Sequence, residues 1–426
     1  MKHTNLKYQV NMKKYLLMAS CLLAGAMVVS SCGDDDDNNS NAGTTSSAEV
    51  QAIEQLSKKY VEDVVFPTYA SLATETENLY SQFENAKTLF RAGKLTQAEI
   101  DKICTTFLKA RSYWEASEAF LYGPATTFGI DPHIDTWPLD LNALATALKN
   151  SDQVAMLDNG DEGIAYASTK LGKELLGFHG IEFIIFRDGK NRQLATLQAE
   201  ESDDVFVKNN AHVTGEQELV YATAVAGDLR DKCYQLEVAW KGESAAAKHK
   251  ERVEEIESET QIGSNYYGEH ILNASKAGSI FRNWQTVLVT ILESGCSNIA
   301  NEVANTKMGN AYTGEDPNYI ESPYSKKSYV DFYDNIMSIK NSLYGGINLS
   351  TPEGKSIMNL LSTYNTAMGS SLESSLAKAL QALKACQVGT AFVDDPQAAK
   401  VKTAMDAIND LNTQLSACKN WMLTIK

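Results

Sequence analysis

From Ala48 to the end of the chain, apolar residues recur at intervals of three and four almost without interruption. That repeat matches the 3.6-residue turn of an α-helix, and no convincing run of alternating apolar and polar residues competes with it. An all-α protein is the expectation. The last helix shows the pattern best, through Val401, Met405, Ile408, Leu411, Leu415, Cys418 and Met422. Asp395 and Pro396 supply its expected N-cap and first turn. The segment before it carries Ile357, Leu361, Tyr364, Met368, Leu372, Leu376, Leu380 and Leu383 and opens at Thr351-Pro352-Glu353. The two should form a long antiparallel hairpin. Thr96 with Glu99 and Thr214 with Gln217 have the spacing of capping boxes. Pro67, inside an otherwise helical stretch, should kink or break it. Helices are expected near 49–66, 68–91, 96–121, 139–150, 163–186, 215–241, 266–307, 327–344, 353–387 and 396–424.

A chain of 426 residues has room for two domains. The polar segment Asp188 to Val213 lacks a long apolar stripe and is the expected connection, giving helical bundles at 48–208 and 209–426. Before them lies a targeting segment. Lys13 and Lys14 precede the apolar run Tyr15 to Val29, which is too short to span a bilayer and ends Val29-Ser30-Ser31-Cys32. This order resembles the bacterial lipobox, which implies a signal peptide at 1–31, cleavage before Cys32 and lipidation of that cysteine. Residues 32–47, with the run Asp34 to Asp37 and then Ser, Thr, Ala and Gly, cannot build a core and read as a flexible tether. An acidic run after a lipid cysteine also resembles the surface-export signal of lipoproteins in the Bacteroides group. The expected location is a lipid-anchored envelope protein of the outer membrane, exposed at the surface.

The four lysines of residues 1–31 leave 34 basic against 54 acidic residues, a net charge of −20. Such a charge argues against nucleic acid or anionic lipid as a partner and suits cations. Beyond Cys21 and Cys32, the five cysteines Cys104, Cys233, Cys296, Cys386 and Cys418 are scattered without a CxxC pair, which indicates neither a zinc site nor a disulfide scaffold.

Chemistry concentrates at Gly177-Phe178-His179-Gly180-Ile181-Glu182, in a segment, Lys173 to Phe186, that reads as mostly apolar helix. Positions i and i+3 are neighbours on a helix, so His179 and Glu182 can share a metal, exchange a proton or simply pair. Arg111 to Pro124 adds Trp114, Glu115 and Glu118, with Glu115 four residues after Arg111 in salt-bridge spacing. Ile134 to Asp140 adds Asp135 and Trp137; Ile320 to Ser325 adds Glu321, Ser322, Tyr324 and Ser325; Asp331 to Ile336 follows. Trp114 and Trp137 can equally be core aromatics, and Asp135 and Glu321 can be N-cap acceptors. Ser322 and Ser325 have no histidine adjacent in sequence and make no convincing nucleophile pair.

Taken together, these five motifs resemble the imelysin family, in the family's order and from about residue 50 onward. The resemblance implies two helical-bundle lobes with a site in the cleft between them. It also implies metal or ligand binding by His179, Glu182, Glu118 and Glu115, in a cleft lined by Arg111, Trp114, Asp135, Trp137, Glu321, Ser322, Tyr324 and Ser325. Family members are classed as metallopeptidases and linked to iron acquisition, so iron or zinc is the implied metal and iron-uptake proteins are the implied partners. The residues themselves fit a zinc peptidase poorly. Catalytic zinc takes about three protein ligands, and the helix-borne motifs place two histidines on one helix. Phe183 stands where His-x-x-Glu-His needs its second histidine. Oxygen ligands with one imidazole suit iron or manganese at least as well as zinc. The expected function is a binding component of iron acquisition. The alternatives are a metallopeptidase in which Glu182 or Glu118 is the base, and a protein-interaction module whose cleft is a satisfied polar network.

Overall fold

A computed structural model describes residues 47–425, so the signal segment, Cys32 and the tether up to residue 46 lie outside the described residues. Helices dominate, and the one sheet among the described residues is a two-stranded antiparallel hairpin, Phe186–Arg187 against Lys190–Asn191. The first helix, Ala48–Tyr60, is capped by Ser47, whose hydroxyl accepts from the Val50 amide at 3.3 Å. It runs through a π-helical segment, Val61–Val65, directly into Phe66–Arg91, so Pro67 does not break it. Proline lacks an amide and its ring crowds the carbonyl of residue i−4. The wider i→i+5 turn just before Pro67 accommodates both defects without ending the helix.

Three long helices form the frame on which the candidate site is hung. Phe66–Arg91 packs against Gln97–Glu115 on one side and, most extensively, against Gly215–Lys241 on the other. The last of these has the boundaries that the capping box at Thr214 and Gln217 predicts. Thr214 N–H donates to Gln217 Oε1 at 2.8 Å, and Gln217 N–H returns a 3.4 Å bond to Thr214 Oγ1. Gly215–Lys241 is buried along nearly its whole length, from Leu219 to Trp240, which accounts for its apolar residues on every side. Packing is therefore continuous across the boundary drawn at residues 208/209. The segment expected as the connection, Asp188 to Val213, holds the second strand of the hairpin and two short helices, Leu194–Leu197 and Asp204–Lys208.

The C-terminal pair is seen as Thr366–Cys386 against Ala399–Met422, with Leu372, Leu376 and Leu383 facing an apolar seam that includes Val401, Ile408, Leu411 and Leu415. Two boundaries differ from expectation. The first arm starts at Ile357 under the Ser356 hydroxyl and is interrupted at Asn365, which caps the second piece. The last helix begins at Ala399 rather than after Asp395, because Lys400 Nζ gathers the carbonyls of Cys386, Val388 and Thr390 at 2.6–3.0 Å and ties the turn into a loop.

The stretch 266–307, expected as one helix, is divided. Tyr267–Leu272 ends in a loop containing Ser275 and Gly278 at positive φ, and Asn283 then caps Trp284–Thr290. Beyond Thr290 the helix carries two further π segments, Ile291–Ser297 and Val303–Lys307, separated by Asn298–Glu302. No helix among the described residues is long and apolar enough to cross a membrane.

Candidate functional site

The Gly-x-His-x-x-Glu motif does not lie inside a helix spanning 163–186. A helix at Gly160–Lys170 ends, a 3₁₀ turn follows at Lys173–Leu175, and the motif opens a new short helix, Gly177–Ile185. Gly177 has φ of +64°, and a Cβ there would lie 1.9 Å from the Ile134 carbonyl oxygen. Only glycine lets this helix start against the strand of chain that carries Asp135. Gly180 does the same on the other face, where a Cβ would lie 2.3 Å from the Tyr221 hydroxyl. The motif glycines thus fix where His179 and Glu182 stand.

Asp135 is the hub. Its Oδ1 receives Arg111 Nη1 and lies 2.9 Å from His179 Nε2, while its Oδ2 accepts from the Trp114 indole at 2.8 Å. Arg111, late in Gln97–Glu115, also sends Nη2 to Glu321 Oε1 at 2.6 Å and lies 2.5 Å from Glu115 Oε1, an ion pair without hydrogen-bond alignment. Glu115 Oε2 in turn accepts from Asn335 Nδ2 at 2.5 Å. Glu118 lies just past the end of that helix, in the 3₁₀ turn Glu118–Phe120, so it does not continue the helical face of Glu115. Both nonetheless approach one cation, Lys307, whose Nζ is 3.7 Å from Glu115 Oε2, 3.5 Å from Glu118 Oε1 and 3.2 Å from Glu321 Oε1. On the far side, Glu182 Oε1 accepts the Ser325 amide at 2.8 Å, and Glu182 Oε2 faces His179 Nδ1 at 3.8 Å.

None of these charged side chains is more than 6% exposed. Burying so many charges is tolerable only if each finds partners, and the surplus must be neutral or await a cation. Burial disfavours the charge on Asp135, but Arg111 and His179 overcome it and hold the carboxyl well below its usual range. Burial likewise works against His179⁺, yet the hydrogen bond to Asp135 and the facing Glu182 carboxylate prevail and lift its pKa to about 9. For Glu321, burial outweighs Lys307 and Arg111 and raises the pKa to about 7. Burial raises Glu118 and Asp331 far above the carboxylate range despite Lys307 and Arg111 respectively.

Several buried polar atoms have no hydrogen-bond partner: His179 Nδ1, Glu182 Oε2, Ser325 Oγ, Glu321 Oε2 and Asp331 Oδ2. Unsatisfied groups of this kind call for a ligand, water or ion. Two groups of ligand atoms lie within metal-binding reach of one another: Asp135, His179 and Glu321, and Glu115, Glu118 and Asp135. Arg111 already sits on the first group's carboxylates and Lys307 beside the second. Among the described residues, no lysine or arginine forms an ion pair at the edge made by His179 Nδ1 and Glu182 Oε2. There the imidazole, on giving up its Nδ1 proton, would present that nitrogen to the ion while the other bonds a carboxylate, the arrangement usual for metal-bound histidine.

Of the other expected residues, Trp137 tilts over His179 at 5.7 Å between ring centres and caps Lys307 at 5.2 Å. Ser322 turns the chain at φ of +51° and pairs with Asp331. Tyr324 packs its ring edge-on against Phe183, 5.1 Å away, rather than into the carboxylates. The sequence does not single out Lys307, and it places Asp331 and Asn335 in the motif Asp331 to Ile336 without assigning either a role in the site. The signal for Lys307 was available: it falls on the apolar face that carries Val303, Ala304, Met308 and Ala311, where a lysine needs acids.

A second buried ionic cluster closes the β-hairpin nearby. Arg192 bonds Glu218 Oε1 at 2.7 Å and lies 3.0 Å from Glu201 Oε2, and Arg187 reaches Glu201 at 2.5 Å. Burial pushes the Glu218 carboxyl up to about 8. Burial opposes charge on Glu201 as well, but its link to Glu218 and the two arginines bring it down to about 2.

A curated relative, iron-regulated protein A of Synechococcus elongatus, is 24% identical over 341 residues, which covers 80% of this chain and 78% of the relative. Among solved structures, a protein of Parabacteroides distasonis assigned as an iron-regulated protein A precursor superposes with a TM-score of 0.69 at 23% identity, over 89% of this chain and 96% of that one. An imelysin-like protein from Psychrobacter arcticum gives 0.52 at 13% identity, over 88% and 94%. These likenesses establish the shared helical fold. The imelysin family model matches residues 65–417, a span that includes every residue of the buried centre, and the chain belongs to the imelysin family.

Proposed function

We propose that the protein is a metal-binding component of iron acquisition, and that His179 Nδ1 and Glu182 Oε2 are the edge that receives the ion. The observation that carries this reading is the pair of unpartnered atoms on that edge, with His179 held from behind by Asp135. One imidazole with oxygen donors suits iron or manganese at least as well as zinc. A bound ion would act as a Lewis acid and as a counter-charge to the surplus carboxylates. Asp135 orients the ring, Glu182 supplies an anionic oxygen, and the amide of Ser325 fixes the other oxygen of Glu182. The name of the cyanobacterial relative supports the link to iron. The same reading has the chain anchored through a lipid on Cys32 at the outer membrane, working with iron-uptake proteins. Burial of His179 and Glu182 to 2% and 1% exposure disfavours a peptidase, because a polypeptide would not reach them in this conformation.

The test is thermal unfolding of the purified protein with iron(II) under anaerobic conditions, and with manganese(II) and zinc(II). An ion at a hundred times its Kd should add about 2.7 kcal/mol of stability. The gain should vanish in His179→Ala and Glu182→Gln. If no ion stabilises the wild type, or if His179→Ala responds as the wild type does, the reading fails.

A further inference from the structure

Lys307 is a charged side chain sealed among acids, and no metal or substrate role requires a lysine there. Its ammonium is 1% exposed, lies within 3.2–3.7 Å of Glu115, Glu118 and Glu321, and is roofed by the Trp137 ring. Charge-assisted contacts of an ammonium normally close to about 2.7–2.9 Å. The acids have not collapsed onto Lys307, because other groups hold two of them in place. Arg111 fixes Glu321 at 2.6 Å and lies 2.5 Å from Glu115, and Asn335 bonds Glu115 at 2.5 Å. Glu321 Oε2 and Glu115 Oε1 have no hydrogen-bond partner. Glu115 and Glu118, with Asp135, have ligand atoms close enough together to hold a metal ion, and Glu321 is within the same reach of Asp135 and His179. The lysine arrives at the last residue of a π segment, Val303–Lys307, a local widening that recurs at functional positions in helices.

We propose that Glu115 and Glu118, within metal-binding reach of Asp135 and with Glu321 beside them, form a divalent-cation site whose occupant in this chain is the Lys307 ammonium. Lys307 is thereby a specificity-determining residue. It supplies the positive charge permanently, keeps a second metal ion out of this half of the centre, and leaves the His179/Glu182 edge as the place for one. The last clause rests on the function proposed above; the occupied cage does not.

The experiment is manganese(II) binding by the purified protein, read from the loss of the free-ion electron paramagnetic resonance signal. Lys307→Ala should bind one manganese(II) ion more per chain than the wild type. The additional ion should be lost in Lys307→Ala/Glu118→Gln and retained in Lys307→Ala/His179→Ala. That pattern separates the two ideas, since failure of the His179 edge would abolish wild-type binding while leaving the gain in Lys307→Ala intact. A folded Lys307→Ala variant that takes up no additional ion overturns the proposal. If this variant does not fold in metal-free buffer, refolding is carried out with millimolar manganese(II), calcium(II) or ethylammonium. Recovery of native helix content with any of these cations supports the cage, and failure with all three overturns it.

Discussion

Two of the buried ionic clusters among the described residues differ in balance. At the β-hairpin, Arg187 and Arg192 face Glu201 and Glu218, two basic side chains for two acids, of which Glu218 keeps its proton up to about pH 8. In the centre, Arg111, Lys307 and His179 face six carboxyl groups: Glu115, Glu118, Asp135, Glu182, Glu321 and Asp331. A matched set can close on itself and serve packing. An excess of buried acids must retain protons or be met by a cation from outside, because isolated charges do not survive in a low-dielectric interior. The hairpin cluster therefore reads as a structural clasp, and the centre as a place where charge can be exchanged.

The sharpest way to break this contrast is to remove one arginine from each cluster. Arg111→Met leaves Asp135, Glu115 and Glu321 without their shared partner and should cost about 3–5 kcal/mol of stability. Arg192→Met should cost less, about 1–3 kcal/mol, since Arg187 remains beside both glutamates. Urea unfolding at pH 7 in chelator measures both; equal losses would erase the distinction.

A smaller effect separates the clusters by pH. His179 has its pKa raised from 6.5 to about 9, so the folded protein holds a proton that the unfolded chain has released. The stability it contributes is complete below pH 6.5 and is lost as pH rises through about 9. Glu218, raised from 4.5 to about 8, has the same sign in a lower window: its contribution is complete below pH 4.5 and is lost through about 8. In metal-free buffer, His179→Gln should flatten the decline between pH 6.5 and 9 by roughly 1–3 kcal/mol while leaving the lower limb in place. Unfolding free energy measured at intervals from pH 5 to 9 checks it, and an unchanged upper limb in the variant would refute it.

The smallest effect expected is that of Glu218→Gln at pH 6, where the carboxyl already carries its proton. The amide keeps the oxygen that accepts from Arg192, so stability should change by no more than about 0.5 kcal/mol. A denaturant midpoint well below that of the wild type would mean that Glu218 is ionised and that the clasp depends on its charge.

Much of the frame was legible because its signals are local. The capping box at Thr214 and Gln217 marks where Gly215–Lys241 begins, and the apolar stripe from Val401 to Met422 marks the last helix. The break before the motif was hidden, since Leu171, Leu175 and Leu176 keep the helical periodicity while the chain leaves the helix. What forces the new start is the Ile134 carbonyl packed on Gly177, a contact between segments more than forty residues apart. In the centre, the motifs name His179, Glu182, Glu118, Glu115, Asp135 and Glu321 through the family resemblance they carry, and His179 also stands out among Phe178, Ile181, Phe183 and Ile184. Their pairing was not readable: Arg111 joins residues 24 and 210 positions away. Lys307 was missed for a related reason, since its partners belong to other helices and loops.

The π segments at Ile291–Ser297 and Val303–Lys307 bear on which changes of length this gene product can tolerate. An α-helix turns about 100° per residue, so losing a single residue between Ile291 and Lys307 would rotate the lysine away from the carboxylates. The loop at 273–283, just upstream, has no such register to keep. Insertions and deletions among homologues should accumulate there and stop short of residue 291, so that the count of residues up to Lys307 becomes a family constant even where side chains drift.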